Sequence, residues 1–387
     1  EKNDLSHNQL KSTMKVKAAV LRESGKPRPY MKSLPLSIEE LELDPPQIGE
    51  VLVQIKAAGL CHSDLVAITG ERGRPMPMVI GHEASGVVCE VGPEVEGFSV
   101  GDHVVPVYVA SCGQCDMCQE GRPALCQPAT IANKAGTLID GTTRLHNKGE
   151  RIFHHSGVAA FSEYAVISQN ALVKIDPSIP FEVAALFGCA VVTGVGSVVN
   201  TAKIGTGQSV AIVGLGGVGL NALLASIASG AGKVVVVDVN EKKLKIARQL
   251  GAHETFNSTQ KNCTEKILDL TDGGVHYAFE TAGVPPALDL AYQITKRGGM
   301  TVVAGMPGPD AKITLSHLSI PAEERVIKGS YMGSCVPTRD IPRYIELYKN
   351  ESLPVEKLIG ERFSFDGLNE ALDRLDDGEA LRQILIF

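Results

Sequence analysis

The rhythm of hydrophobic and polar positions changes once along the chain, near residue 190. Between residues 14 and 190 the apolar stretches are short, as in EVLVQIKAAG, SGVVCEVG and GDHVVPV, and glycine or proline turns separate them. Such punctuated runs predict an irregular, mostly-β domain. From residue 191 the texture is different. SVAIVGLGG reads as a strand running into glycines, VGLNALLASIASGA as an apolar helix, and KVVVVDVN as a second buried strand. EKKLKIARQLGA has the pattern of a charged amphipathic helix. HYAFETAG and GMTVVAGMPG follow as strands, with helical LDLAYQITKRG between them. Strands alternating with helices predict an α/β unit, a doubly wound parallel sheet, over 191–332. The segment 333–387 carries helix and strand signals outside that alternation and is expected to rejoin the first domain. Residues 1–13 read as a polar tail ahead of Met14, which has the look of a natural start.

Composition narrows the possibilities. The chain has 387 residues, enough for two domains with separate cores, and a net charge of −7. That charge argues against nucleic-acid or acidic-membrane partners, which need a cationic field. No apolar run of about 18 residues stands out, so no membrane span is expected. The N-terminal stretch lacks the apolar core of a secretory signal, and a cytoplasmic location follows as the expectation.

Four of the nine cysteines, Cys112, Cys115, Cys118 and Cys126, lie within CGQCDMCQEGRPALC. In a reducing compartment clustered thiols favour a metal over disulfides. Gly113, Gly121 and Pro123 supply turns that let four sulfurs surround one ion, as zinc requires. With every ligand position filled by protein, such a site is structural, and the chemistry must lie elsewhere.

The run from Gly214 to Gly219, GLGGVG, fits G-x-G-x-x-G and stands between a strand and a helix. Gly214 suits the tight turn, Gly216 and Gly217 a close approach by pyrophosphate, and Gly219 helix–strand packing, as in a Rossmann fold. Asp238 closes the next strand, where its carboxylate suits the ribose hydroxyls of NAD and repels the 2′-phosphate of NADP. Lys243 reads equally as a ribose contact or as a solvated helix lysine. Cys61 in GLCHSD, His82 in GHE and Cys189 in FGCAVVTG match a Cys2His zinc shell with an open fourth position. Taken singly, each reads as well as a core residue.

With these motifs in order, residues 14–387 resemble the zinc-containing alcohol dehydrogenases of the medium-chain dehydrogenase/reductase superfamily. GLCHSD, GHE, the cysteine lobe, GC-x3-TG, GLGGVG and the closing LRQILIF carry the resemblance. It implies a GroES-like catalytic domain beside the Rossmann domain, NAD as cofactor, and two zinc ions per chain, one catalytic and one structural. It implies Cys61, His82 and Cys189 as catalytic zinc ligands, Asp64 orienting His82, and Glu83 beside the metal. Ser63 is implied as the group that takes the alcohol proton, and His62 and Arg382 as pyrophosphate contacts. Thr193 and Val218 should back the nicotinamide ring. Val66, Tyr108, His155 and Ser156 should line the substrate pocket, with Met306 or Met332 further out; His154 and His155 read equally as core histidines. The substrate class expected is a small aromatic or medium-chain primary alcohol and its aldehyde.

Two departures qualify the picture. Val66 stands where many members have a histidine that passes the proton to solvent, so release by water, ribose or His62 and slower release at low pH are expected. The nearest texture is the class III branch, which oxidises S-hydroxymethylglutathione, but no arginine lies between Cys126 and Lys134. Arg72 or Arg74 would have to replace the missing carboxylate contact. The long segment KAGTLIDGTTRLHNKGERIFHH resembles dimeric members, which predicts a homodimer pairing near Val303 and Ser330–Gly333. The rival readings are a quinone or enoyl reductase without the catalytic zinc, and a non-catalytic NAD-binding regulatory protein.

Overall fold

The computed structural model describes residues 12–378 and 380–387. The expected polar tail therefore lies outside the described residues except for its last two. Six strands build a parallel sheet: β1 (Ser209–Val213), β2 (Lys233–Asp238), β3 (Glu254–Asn257), β4 (Val275–Glu280), β5 (Thr295–Val303) and β6 (Val326–Gly329). Their order is β3-β2-β1-β4-β5-β6, with the reversal between β1 and β4. Both faces are covered, so the central strands are apolar throughout: Val234 to Val237 in β2 are all fully buried. The reversal places a crevice at the C-terminal ends of β1 and β4, where α/β sheets bind ligands. Strands β3 and β6 were not singled out by pattern. Both are four residues long, and neither contains a fully buried side chain.

The remainder forms two further sheets. Met14–Leu21 and Leu36–Leu43 join Met78–Val79, Leu145–Asn147 and Glu150–His154 in a closed barrel. The long segment after the cysteine lobe thus supplies two of the barrel strands. Arg144 fixes it in place through a bidentate pair with Glu50 at 2.7 and 2.8 Å, with both side chains buried. A seven-stranded sheet centred on Glu50–Leu60 holds the catalytic-side elements, and the C-terminal Arg382–Ile386 pairs antiparallel with it.

Two expectations need correction. The segment Phe181–Ala202 is helical and, by length and composition, apolar enough to cross a bilayer, contrary to the absence read from pattern. It is a core helix, since 89% of its most apolar window is buried inside the protein. The strand near Val303 also cannot pair across a dimer axis. β5 is hydrogen-bonded on both sides, to β4 and β6, which leaves β6 as the edge.

Candidate metal and cofactor site

The helix α1 (His62–Thr69) begins immediately after Cys61, and its first turn organises the site. Asp64 is fully buried there. Its Oδ2 accepts the Cys61 N–H at 2.9 Å, and its Oδ1 accepts the Gly81 N–H at 3.2 Å. The same Oδ1 lies 3.0 Å from His82 Nδ1. This contact fixes the proton on Nδ1 and leaves Nε2 as the ligand atom. Burial alone would raise the Asp64 carboxyl, but His82 and His155 hold it below the usual carboxylate range. Burial would likewise depress His82, and the Asp64 charge instead raises it well above an ordinary imidazole.

Cys189 comes from the other side of the cleft, on a π-helical turn, Phe187–Val191, within the core helix. Such turns are frequent at functional sites. Its Sγ stands 4.0 Å from Cys61 Sγ, and the ligand atoms of Cys61, His82 and Cys189 all lie within 4.8 Å of one another. Two sulfurs on one tetrahedral zinc, with bonds of about 2.3 Å, stand about 3.8 Å apart. The donor set therefore fits zinc with one position open. In the lobe, Cys112, Cys115, Cys118 and Cys126 meet the same 4.8 Å criterion, and none forms a disulfide. Cys112 Sγ accepts N–H groups of Gln114 and Cys115 at 3.4 and 3.3 Å, and Cys126 Sγ accepts that of Cys112 at 3.2 Å. Backbone N–H groups bring the Cys115 thiol down to about 6, whereas burial pushes Cys118 up to about 12. Four thiolates there need a cation, and the set is closed to a fifth ligand.

Glu83 and Arg382 are the two buried charges between metal site and cofactor crevice. Arg382 Nη2 donates to Glu83 Oε1, and Glu83 Oε2 accepts the Ala190 N–H at 3.2 Å. Glu83 is therefore held by an arginine and by the backbone next to Cys189, beside the candidate ligand set. Arg382 Nε is buried without a hydrogen-bond partner, and the guanidinium lies against Gly217 at the start of α2 (Gly217–Ala228). No side chain caps that helix, so its first N–H groups point at the crevice alongside Arg382. Gly214 adopts φ +99°, Gly216 faces open space, and a Cβ on Gly219 would collide with the Gly214 carbonyl. The residues present thus fit a dinucleotide pyrophosphate. Asp238 Oδ2 accepts the Leu215 N–H at 2.6 Å, which ties the end of β2 to the glycine turn. Lys243 is half-buried on the following helix.

The remaining expected site residues separate into two groups. Tyr108 packs edge-on against His82 with ring centroids 5.7 Å apart, and its hydroxyl lies 3.5 Å from Thr193 Oγ1. His155 is buried, 5.1 Å from the His82 ring, with Nδ1 3.1 Å from Asp64. Ser63 and Val218 are half-buried, His62 is exposed, and Val66 is 8% exposed. Ser156, at φ 54°, follows His155 in a short 3-10 turn. Met306 is exposed, whereas Met332 is packed in the core at 1% exposure. Tyr331, which pattern did not flag, packs edge-on against Tyr108 at 5.9 Å. Arg72 donates to the carbonyls of Met306 and Pro307, and Arg74 to that of Asn133.

A closed thiol lobe, and an open Cys2His set linked to a dinucleotide turn by one buried arginine, define a metal-dependent dehydrogenase. Residues 47–177 match the alcohol dehydrogenase GroES-like domain, and residues 217–350 match the zinc-binding dehydrogenase family. The chain is 36% identical to alcohol dehydrogenase class-3 of Drosophila melanogaster, over 95% of this chain and 97% of that one. It is 35% identical to S-(hydroxymethyl)glutathione dehydrogenase of Escherichia coli O1:K1 / APEC, over 96% and 100%. The crystal structure of benzyl alcohol dehydrogenase from Acinetobacter calcoaceticus superposes with a TM-score of 0.90 at 31% identity, covering 97% and 99%. The chain belongs to the zinc-binding alcohol dehydrogenases of the medium-chain dehydrogenase/reductase superfamily.

Proposed function

We propose that this zinc alcohol dehydrogenase uses NAD to interconvert a primary alcohol, aromatic or medium-chain, and its aldehyde. The observation that carries the reading is the convergence of Cys61, His82 and Cys189 beside the Arg382–Gly217 contact. It supports one cleft in which metal and dinucleotide meet. Zinc held by these three residues would supply a Lewis acid that makes an alcohol hydroxyl acidic near neutral pH, and NAD would accept the hydride. The chain's own residues do the rest. Asp64 keeps His82 in the tautomer that offers Nε2. Ser63, two residues after Cys61, accepts the hydroxyl proton. Val66 cannot relay it, so the proton leaves through His62, the ribose or water. Arg382 and the first turn of α2 hold the pyrophosphate, with His62 adding to the contact. Thr193 and Val218 back the nicotinamide, and Asp238, with Lys243, selects NAD by its ribose. Tyr108, with Val66, His155 and Ser156, surrounds the alcohol. Initial rates with NAD and NADP on benzyl alcohol and octanol test the reading; NAD-linked oxidation is expected, and absence of turnover with either cofactor refutes it.

The class III relatives support a second substrate, S-hydroxymethylglutathione. We further propose the division into 14–190, 191–332 and 333–387, supported by the return of Arg382–Ile386 to the first unit's sheet. A homodimer is proposed along β6, supported by the exposed edge and the exposed Ile313, Leu318, Val326 and Ile327 around it. Nine free thiols support a cytoplasmic location.

A further inference from the structure

Between β5 and the short helix Ser319–Ala322 the chain runs from 304 to 318 without helix or strand. This loop leaves the sheet beside the cofactor crevice, since Val303, the last residue of β5, pairs with Glu280, the last residue of β4. Its own bonding is sparse. Among the described residues, the backbone of 306–315 forms one hydrogen bond within the loop, from the Ala311 N–H to the Gly308 carbonyl at 3.1 Å. A segment with so little internal bonding opens at low cost. One side chain reaches it from the metal-bearing unit. Arg72, three residues beyond α1, donates through Nη2 to the Met306 carbonyl at 2.8 Å and to the Pro307 carbonyl at 3.1 Å. Nη2 carries two hydrogens, one for each carbonyl. Among the described residues, no other side chain hydrogen-bonds 306–315.

The loop bears on the dinucleotide turn through close packing. A Cβ on Gly283 would meet the Met306 nitrogen at 3.0 Å and its carbonyl oxygen at 3.1 Å. The Gly283 N–H donates to Glu280 Oε1 at 2.6 Å, which fixes the turn after β4. A Cβ on Gly214 would in turn meet the Ala282 nitrogen at 2.8 Å. Met306, the turn after β4 and the first glycine of the dinucleotide motif are thus successive close neighbours. At its other end Arg72 continues from α1, whose first turn carries Ser63 and Asp64. Its guanidinium therefore links the metal-bearing unit to the rim of the cofactor crevice. We infer that Arg72 is a positioning residue: it holds the loop after β5 against the metal-bearing unit and thereby slows release of the dinucleotide. This rests on the NAD-linked reading above and adds to it a determinant of cofactor release, a step that limits turnover in many enzymes.

The test follows the fluorescence of NADH, bound to the zinc-loaded enzyme, as excess ADP-ribose displaces it in a stopped-flow instrument. In Arg72→Ala the release rate should rise about three- to tenfold, the size of a charge-assisted hydrogen bond discounted for its exposure. Arg72→Lys keeps the charge but replaces the planar fork by a single ammonium. Its release rate should fall between the other two, and it serves as the test if the alanine variant fails to fold. Two further readouts separate this role from a merely structural one. Zinc content and Tm should stay at wild-type values, because the contact joins exposed backbone at Met306 and Pro307. Amide hydrogen exchange should quicken over 304–312. Release at the wild-type rate in both variants overturns the inference and leaves the dehydrogenase reading intact. Faster release accompanied by loss of zinc or a lowered Tm overturns it as well, since Arg72 then serves the fold. So does faster release with unchanged exchange in the loop. If wild type binds no NADH and oxidises no alcohol, the underlying reading falls, and the inference with it.

Discussion

Replacing Asp64 with asparagine isolates the role of one buried charge. The side chain is fully buried, and its two oxygens face the Cys61 N–H, the Gly81 N–H, the His82 imidazole and the His155 ring at 3.1 Å. An amide has one oxygen, so in either orientation its NH2 confronts one of these donors. A buried donor left without an acceptor costs about 1–3 kcal/mol. Because the donors belong to, or adjoin, Cys61 and His82, much of that cost falls on the geometry of the metal ligands. Loss of such a supporting carboxylate typically weakens metal binding about ten- to hundredfold. The assay is zinc release to a graded chelator, followed with a metal-sensitive dye. Wild type is expected to release its metal in two phases, one per site. Asp64→Asn should move only one phase to lower chelator, by that factor, and the other should stay with the four-cysteine lobe. If both phases coincide with those of wild type, the reasoning about His82 and its carboxylate is wrong.

Other outcomes follow from the same contacts. Arg382→Ala should weaken NAD binding about ten- to hundredfold by calorimetry and destabilise the fold by about 3–5 kcal/mol, because Glu83 is left buried and unpaired. Arg382→Lys should recover most of the stability. Asp238→Ala should raise kcat/KM with NADP relative to NAD, since the group that repels a 2′-phosphate is gone; an unchanged ratio counts against its role. His146 hydrogen-bonds Asp44 and also faces Glu42, which together raise its pKa above 6.5. A raised histidine stabilises the folded state fully below its unfolded pKa, and the contribution fades as pH rises through the folded value. His146→Gln should therefore lower the Tm relative to wild type at pH 6 and leave it nearly unchanged at pH 9.

Periodicity made the parallel sheet legible where strands are buried on both faces, as in VVVV of β2. It failed at β3 and β6, which are short and lie at the two edges with side chains partly or fully in water. The core helix escaped for a related reason: glycines and threonines dilute FEVAALFGCAVVTGVGSVVNTA, so its apolar length does not stand out. At the site, Cys61, His82 and Cys189 came into view as residue types that a catalytic zinc takes, and only the family resemblance joined them into one set. The pocket was less readable, since position along the chain does not say which way a side chain turns. Met332 illustrates this, with a left-handed φ of 48° and a core side chain, while its neighbour Tyr331 packs against Tyr108. Glu83, next to His82 and hydrogen-bonded to the Ala190 N–H beside Cys189, also pairs with Arg382, 299 residues away in sequence. Only the pairing of Arg382–Ile386 with Glu50–Leu60 brings them together.

The most direct test is zinc content per chain, measured on wild type, Cys61→Ser and Cys126→Ser, together with NAD-linked oxidation of benzyl alcohol. Two zinc ions are expected in wild type. Cys61→Ser should retain one and lose turnover, with its fold intact, and Cys126→Ser should lose the other ion and a large part of its thermal stability. A wild-type protein with one zinc ion, or a Cys61→Ser variant that keeps two and still oxidises the alcohol, would contradict the assignment of the catalytic centre.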